Sequence, residues 1–188
     1  MQLRTIPQAI EDAAKAEPTR GYRFVPETGS TELGAFGDAP SSRSEGKVAS
    51  EASFSFTAVE RISARLGGAL QALGLRKGDR VALILPTNDD FVLCFLGAIR
   101  AGIVPVPIYP PMALGQLQAY LDNTRHIVAK SGARVLVTTA KIKRLLGTVQ
   151  AACPALEQVV AVEGIRESTE PLKAEKIRLD DVALLQFT

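Results

Sequence analysis

Two cysteines, one histidine and no unbroken run of about 18 apolar residues set the first bounds on this chain. Cys94 and Cys153 cannot build a disulfide framework, and Cys94 lies inside Phe91-Val-Leu-Cys-Phe-Leu96, where a free thiol behaves as a small buried hydrophobe. Without a long apolar run, no transmembrane segment is expected. The opening MQLRTIPQAIEDAAKAEP carries acidic residues and no apolar stretch, so it matches neither a signal nor a transit peptide. A cytoplasmic protein with reduced thiols is the expectation. His126 stands on Leu121-Asp-Asn-Thr-Arg-His126 without a set of partners for a metal, and no G-x-S-x-G elbow supports a triad around it, which discounts hydrolase chemistry. G-x-G-x-x-G and G-x-x-x-x-G-K-[ST] are also missing, so the phosphate-cradling glycines of dinucleotide-binding and P-loop folds are absent. The 22 basic and 20 acidic residues are interspersed and leave a net charge of only +2, which implies no nucleic-acid partner.

What remains is enough for one buried core: 188 residues, 46% of them hydrophobic. Near-helical spacing of apolar residues over 5–17 predicts a first helix ended by Pro18. Residues 26–52 are rich in Gly, Ser, Pro and Glu and read as a flexible loop or insertion. Thr57-Ala-Val-Glu60 has the form of a capping box opening an amphipathic helix to about 73, with Gly74 as its stop. Arg80-Val-Ala-Leu-Ile-Leu85 predicts a buried strand, and a helix follows from Asn88 to Ala101. Four prolines in Val104-Pro-Val-Pro-Ile-Tyr-Pro-Pro111 confine that segment to a sheet edge or a polyproline-like passage. A helix over 114–130, a strand over 134–138, a third helix through Leu145 and Leu146 to about Ala152, and a strand over 158–162 complete the alternation. Residues 163–180 read as a loop and 182–187 as a last strand. Alternating strands and helices predict an α/β fold with a mainly parallel sheet flanked by helices.

Three features could carry chemistry, and each has a plainer reading. Gly67-Gly68 suits close helix packing, Lys141-Ile-Lys-Arg144 suits a solvated basic face, and Asp89-Asp90 suits the positive end of a helix dipole rather than acid and base catalysis. No catalytic or metal-binding residue is assigned.

In order along the chain, Phe54-Ser-Phe-Thr57, the Leu73–Leu83 stretch, Pro86-Thr-Asn88, Phe91 onward to Gly102, and Val104-Pro-Val-Pro107 resemble the front of the adenylate-forming superfamily of acyl and aryl ligases. Pro107–Pro111, Ser131–Arg134 and Asp180-Asp-Val-Ala-Leu-Leu-Gln-Phe-Thr188 look most like its fatty acyl-AMP ligase branch. The resemblance covers residues 53–188 and implies the N-terminal subdomain of that fold, preceded by a lead-in over 1–25. It implies a parent enzyme that activates a fatty acid with ATP and Mg2+ to an acyl-adenylate, releasing pyrophosphate, and passes the acyl group to an acyl carrier protein or to CoA. Thr188 matches the first residue of that family's triphosphate loop and is the one nucleotide-binding residue the resemblance implies. The other nucleotide-binding motifs of the family are not found in these residues, so the 188-residue chain alone is expected to be inactive. An acyl-CoA ligase, or a non-catalytic binding module reusing the fold, are the alternatives.

Overall fold

Thr5 converts an extended lead-in to helix by a reciprocal capping box: its hydroxyl accepts from the Gln8 amide, and the Gln8 side chain accepts from the Thr5 amide. That opens α1 (Ile6–Ala16), in a computed structural model that describes residues 3–24, 52–86, 88–111 and 116–187. Strands β1 (Gly21–Phe24) and β2 (Ala52–Ser55) then pair antiparallel, with Tyr22 opposite Phe54. Sequence periodicity predicts neither strand, because both are only four residues long, lack a buried face, and are held by aromatic edges such as Tyr22 against Phe56 at 5.8 Å. The loop expected at 26–52 lies outside the described residues except for Ala52.

Helix α2 (Phe56–Ala72) starts earlier than its sequence suggests. Ser55, not Thr57, is the cap, and its hydroxyl accepts from the Ala58 amide. The expected box at Thr57–Glu60 does not form because both side chains have tertiary partners: Thr57 donates to the Pro18 carbonyl, and the Glu60 carboxylate accepts from Arg100. The helix stops at Gly74, whose φ of +90° is open to a glycine without strain.

The main sheet has four parallel strands, β3 (Arg80–Ile84), β4 (Val104–Pro107), β5 (Val135–Thr138) and β6 (Gln158–Ala161), in the order β4-β3-β5-β6. Alternate side chains serve opposite faces. Val81, Leu83, Val135 and Val137 pack under α2 and α3 (Asn88–Arg100), while Ala82, Ile84 and Leu136 pack under α4 (Leu117–Ser131) and the two short helices within 140–152. Burial on both faces explains the continuous apolar run at Arg80–Leu85. Cys94 is 1% exposed in the first of these cores, and burial pushes its thiol up to about 12, so it serves as core.

Strand β4 is the edge that its prolines imply. Val104 and Ile108 donate to Asp79 and Leu83, so the alternate positions, Pro105 and Pro107, turn toward the free edge with no N–H to offer. This also explains why 182–187 does not form the expected strand. Beside two prolines it gains a single backbone bond, from the Leu185 amide to the Pro105 carbonyl.

Two further expectations are corrected. The single helix through Leu145 and Leu146 is two short ones, α5 (Ala140–Lys143) and α6 (Gly147–Ala152). Between them the amides of Leu145 and Leu146 bond three residues back, and Gly147, a poor helix former, begins the next turn. The strand expected to reach Val162 ends at Ala161, and part of the 163–180 loop is helix, α7 (Val162–Arg166), which buries Val162 and Ile165 in the first core.

Candidate functional site

In an open parallel sheet, ligands sit beyond the carboxyl ends of the strands, where successive helices diverge. Here that rim follows Ile84, Pro107, Thr138 and Ala161. Among the described residues, three ties fix it. The Thr138 hydroxyl donates to the Ile84 carbonyl at 2.8 Å, joining β5 to β3. Glu163 accepts from the Ala140 amide at the start of α5. Asp90, 7% exposed in its side chain, pairs with both Nε and Nη2 of Arg166, tying the first turn of α3 to α7. That carboxylate holds the Arg166 guanidinium above its ordinary range. Asp90 is thus more than the dipole complement that its position suggests, and its partner, 76 positions away, leaves no local signal. Tyr109, 83% exposed, and Pro110 project at the end of β4.

The amino ends of the strands are densely bonded instead. Arg80 donates to the carbonyls of Ser131 at 2.8 Å and Gly132 at 2.9 Å, closing the C-terminus of α4, where a cation also meets the negative end of the helix dipole. Arg134 bridges Asp79 at 2.5 Å and both oxygens of Glu157 at 2.7 and 3.0 Å. Those carboxylates raise the Arg134 guanidinium, and Arg134 in turn holds Glu157 below the usual carboxylate range.

Between the helices, Arg100 is buried and donates to the Glu60 carbonyl and carboxylate, each at 2.6 Å, and to the Ser63 hydroxyl at 3.2 Å. It locks α3 to α2 close to the point where Gly67 and Gly97 let the two helices touch. A Cβ on Gly67 would lie 2.7 Å from the Gly97 carbonyl oxygen, confirming close packing as the role of Gly67.

Thr188 lies outside the described residues. His126 is exposed on α4, and Lys141, Lys143 and Arg144 are exposed around the buried Ile142. No group of three or more His, Cys, Asp or Glu gathers among the described residues. No helix among them is long and apolar enough to cross a membrane. Arg100 and Arg134 carry no sequence signal either, since their partners are brought together by the fold.

Residues 36–188 match the AMP-binding enzyme family. The 4-hydroxybenzoate–CoA/benzoate–CoA ligase of Rhodopseudomonas palustris is 32% identical over 120 residues, covering 62% of this chain and 21% of that ligase. The medium-chain fatty-acid–CoA ligase of Escherichia coli is 26% identical over 133 residues, covering 71% and 23%. A structure from a study of fatty acyl-adenylate ligases of E. coli and L. pneumophila superposes with a TM-score of 0.77 at 22% identity, over 97% of this chain and 29% of that one. McyG A-PCP complexed with phenylalanyl-adenylate superposes at 0.78 and 17% identity, over 100% and 30%. The chain thus spans between 21% and 30% of the length of these relatives, and the two superpositions establish the fold alone. With the family matched over residues 36–188, the chain belongs to the AMP-binding enzymes.

Proposed function

We propose that these residues are the N-terminal part of a fatty acyl-AMP ligase, in which residues 53–188 form the first α/β subdomain of the AMP-binding domain. The family match over 36–188 carries this reading. The likeness of 107–111 and 180–188 to the acyl-AMP branch supports the finer assignment, and the superposition on fatty acyl-adenylate ligases supports its fold. In the reaction, a carboxylate oxygen of the fatty acid attacks the α-phosphorus of ATP, the bond to pyrophosphate breaks, and an acyl-adenylate results. Charge develops on phosphate oxygens, which calls for converging cations and N–H donors. The densely bonded cations of the amino end are already committed to structure and do not supply those donors. This chain supplies the sheet and rim on which they assemble, Thr188 among them. Two buried free thiols suit a reducing cytoplasm.

The curated relatives favour a second reading, transfer of the acyl group to CoA. Incubating the complete protein with ATP, Mg2+ and a long-chain acid, with CoA or an acyl carrier protein added in turn, separates the two. Acyl-AMP that persists in CoA and is discharged by the carrier supports the first; acyl-CoA supports the second. No pyrophosphate release with any acid tried would end both.

A further inference from the structure

Residues 167–187 have little regular structure, yet they are held along their length by side chains from far earlier in the chain. Leaving α7 at the carboxyl rim, the strap crosses α2 where Gly68 makes room: a Cβ there would lie 2.3 Å from the Glu170 carbonyl oxygen. Leu172 enters the core beside Gly67. Gln71 then pairs with one strap residue from both sides, its amide nitrogen donating to the Lys173 carbonyl at 3.0 Å and its oxygen accepting from the Lys173 amide at 2.8 Å. At the amino end of the sheet the Lys77 ammonium donates to the Lys176 carbonyl at 2.7 Å and meets Asp181 at 2.6 Å. Asp181 also accepts from the Arg178 amide, closing the turn that reverses the strap. Beyond that turn the chain passes Gly102 and Val104 and reaches Leu185, bonded to Pro105, so it runs beside β4 in the same direction, toward the carboxyl rim.

We propose that Gln71 and Lys77 are positioning residues for the nucleotide site: by fixing where the strap turns, they set the register at which residues 185–187 rise beside the edge of β4. The need for such a device follows from the edge itself. An ordinary neighbouring strand is held in register by a ladder of backbone bonds, but Pro105 and Pro107 remove the outward donors and one bond remains. Register is supplied instead by two side-chain clamps upstream, one neutral and one charged. The charged clamp holds Asp181 below the usual carboxylate range, first through Lys77 and then through the Arg178 amide.

The role in nucleotide binding rests on the proposed function; the clamp does not. The test uses the complete protein with Lys77→Met, which keeps the stem packed on Gly102 and deletes the donor, with Gln71→Leu, and with Lys77→Arg as the conservative replacement. Hydrogen exchange across 174–187 and the kinetics of acid activation are measured together. Faster exchange in that segment, a KM for ATP raised about fivefold with the KM for the acid unchanged, and recovery of both in Lys77→Arg are expected. Unchanged exchange in both Lys77→Met and Gln71→Leu overturns the clamp. Faster exchange with an unchanged KM for ATP overturns the positioning role. Should the unsubstituted protein activate no acid, the functional reading fails and takes the positioning role with it, while the exchange data still decide the clamp.

Discussion

The two ends of the parallel sheet are built differently although the same four strands join them. At the amino ends, Arg80, Arg134 and Lys77 are each engaged by carbonyls or carboxylates, and glycines with positive φ at 78, 102 and 132 admit the tight turns that bring those partners close. At the carboxyl ends, Asp90–Arg166 and Glu163–Ala140 are the main polar ties, and Tyr109 stands exposed above a stiff proline segment. Cations saturated by structure cannot stabilise charge on a substrate. Among the described residues, the contrast teaches that the amino end is bound into the fold by its cations, while the carboxyl end is where the strands and helices diverge and a ligand can sit.

The sharpest way to break this contrast is Gly132→Val. Gly132 has φ of +64°, and a Cβ there would lie 2.5 Å from an Arg80 guanidinium nitrogen. A β-branched residue forced into the left-handed region while displacing the cap of α4 should lower unfolding free energy by about 3 kcal/mol in denaturant titration. Arg80→Met, which removes the cap and keeps the backbone, should cost about 2 kcal/mol by the same measurement.

Acid should loosen the amino end. Glu157 and Asp181 titrate below their ordinary range when folded, so their contribution is fully present above that range and fades as pH falls through the folded values. Melting temperature should therefore drop between about pH 5 and about pH 3, and Arg134→Met should flatten that dependence. At the other end, Arg166→Met should cost only about 1 kcal/mol, since its guanidinium is 48% exposed. Tyr109→Ser should stay within about 0.5 kcal/mol of the parent. Losses at the carboxyl rim as large as those at Gly132 would erase the distinction.

Much of the sheet was legible because its cues are local. Arg80–Leu85 is apolar throughout because both faces of β3 are covered, and Pro105 and Pro107 marked an edge because a ladder cannot use them. Gly102 and Gly132 marked helix ends through the positive φ they adopt. The misreadings have tertiary causes. Thr57 looked like a cap, but Pro18 claims its hydroxyl; 182–187 looked like a strand, but its neighbour has no donors. The site was far less legible. Asp90 and Arg166, Lys77 and Asp181, and Gln71 and Lys173 meet from 76 or more positions apart, and no spacing rule links such pairs. Thr188, the one nucleotide-binding residue that resemblance implies, lies outside the described residues.

The central claim, that the complete protein joins a fatty acid to AMP, is tested most directly by the fate of the carboxylate oxygens. With a long-chain acid labelled with oxygen-18 in its carboxylate, the account predicts pyrophosphate free of label and AMP that carries one labelled oxygen once the adenylate is cleaved by an acceptor. AMP without label, or label found in pyrophosphate or inorganic phosphate, would contradict it.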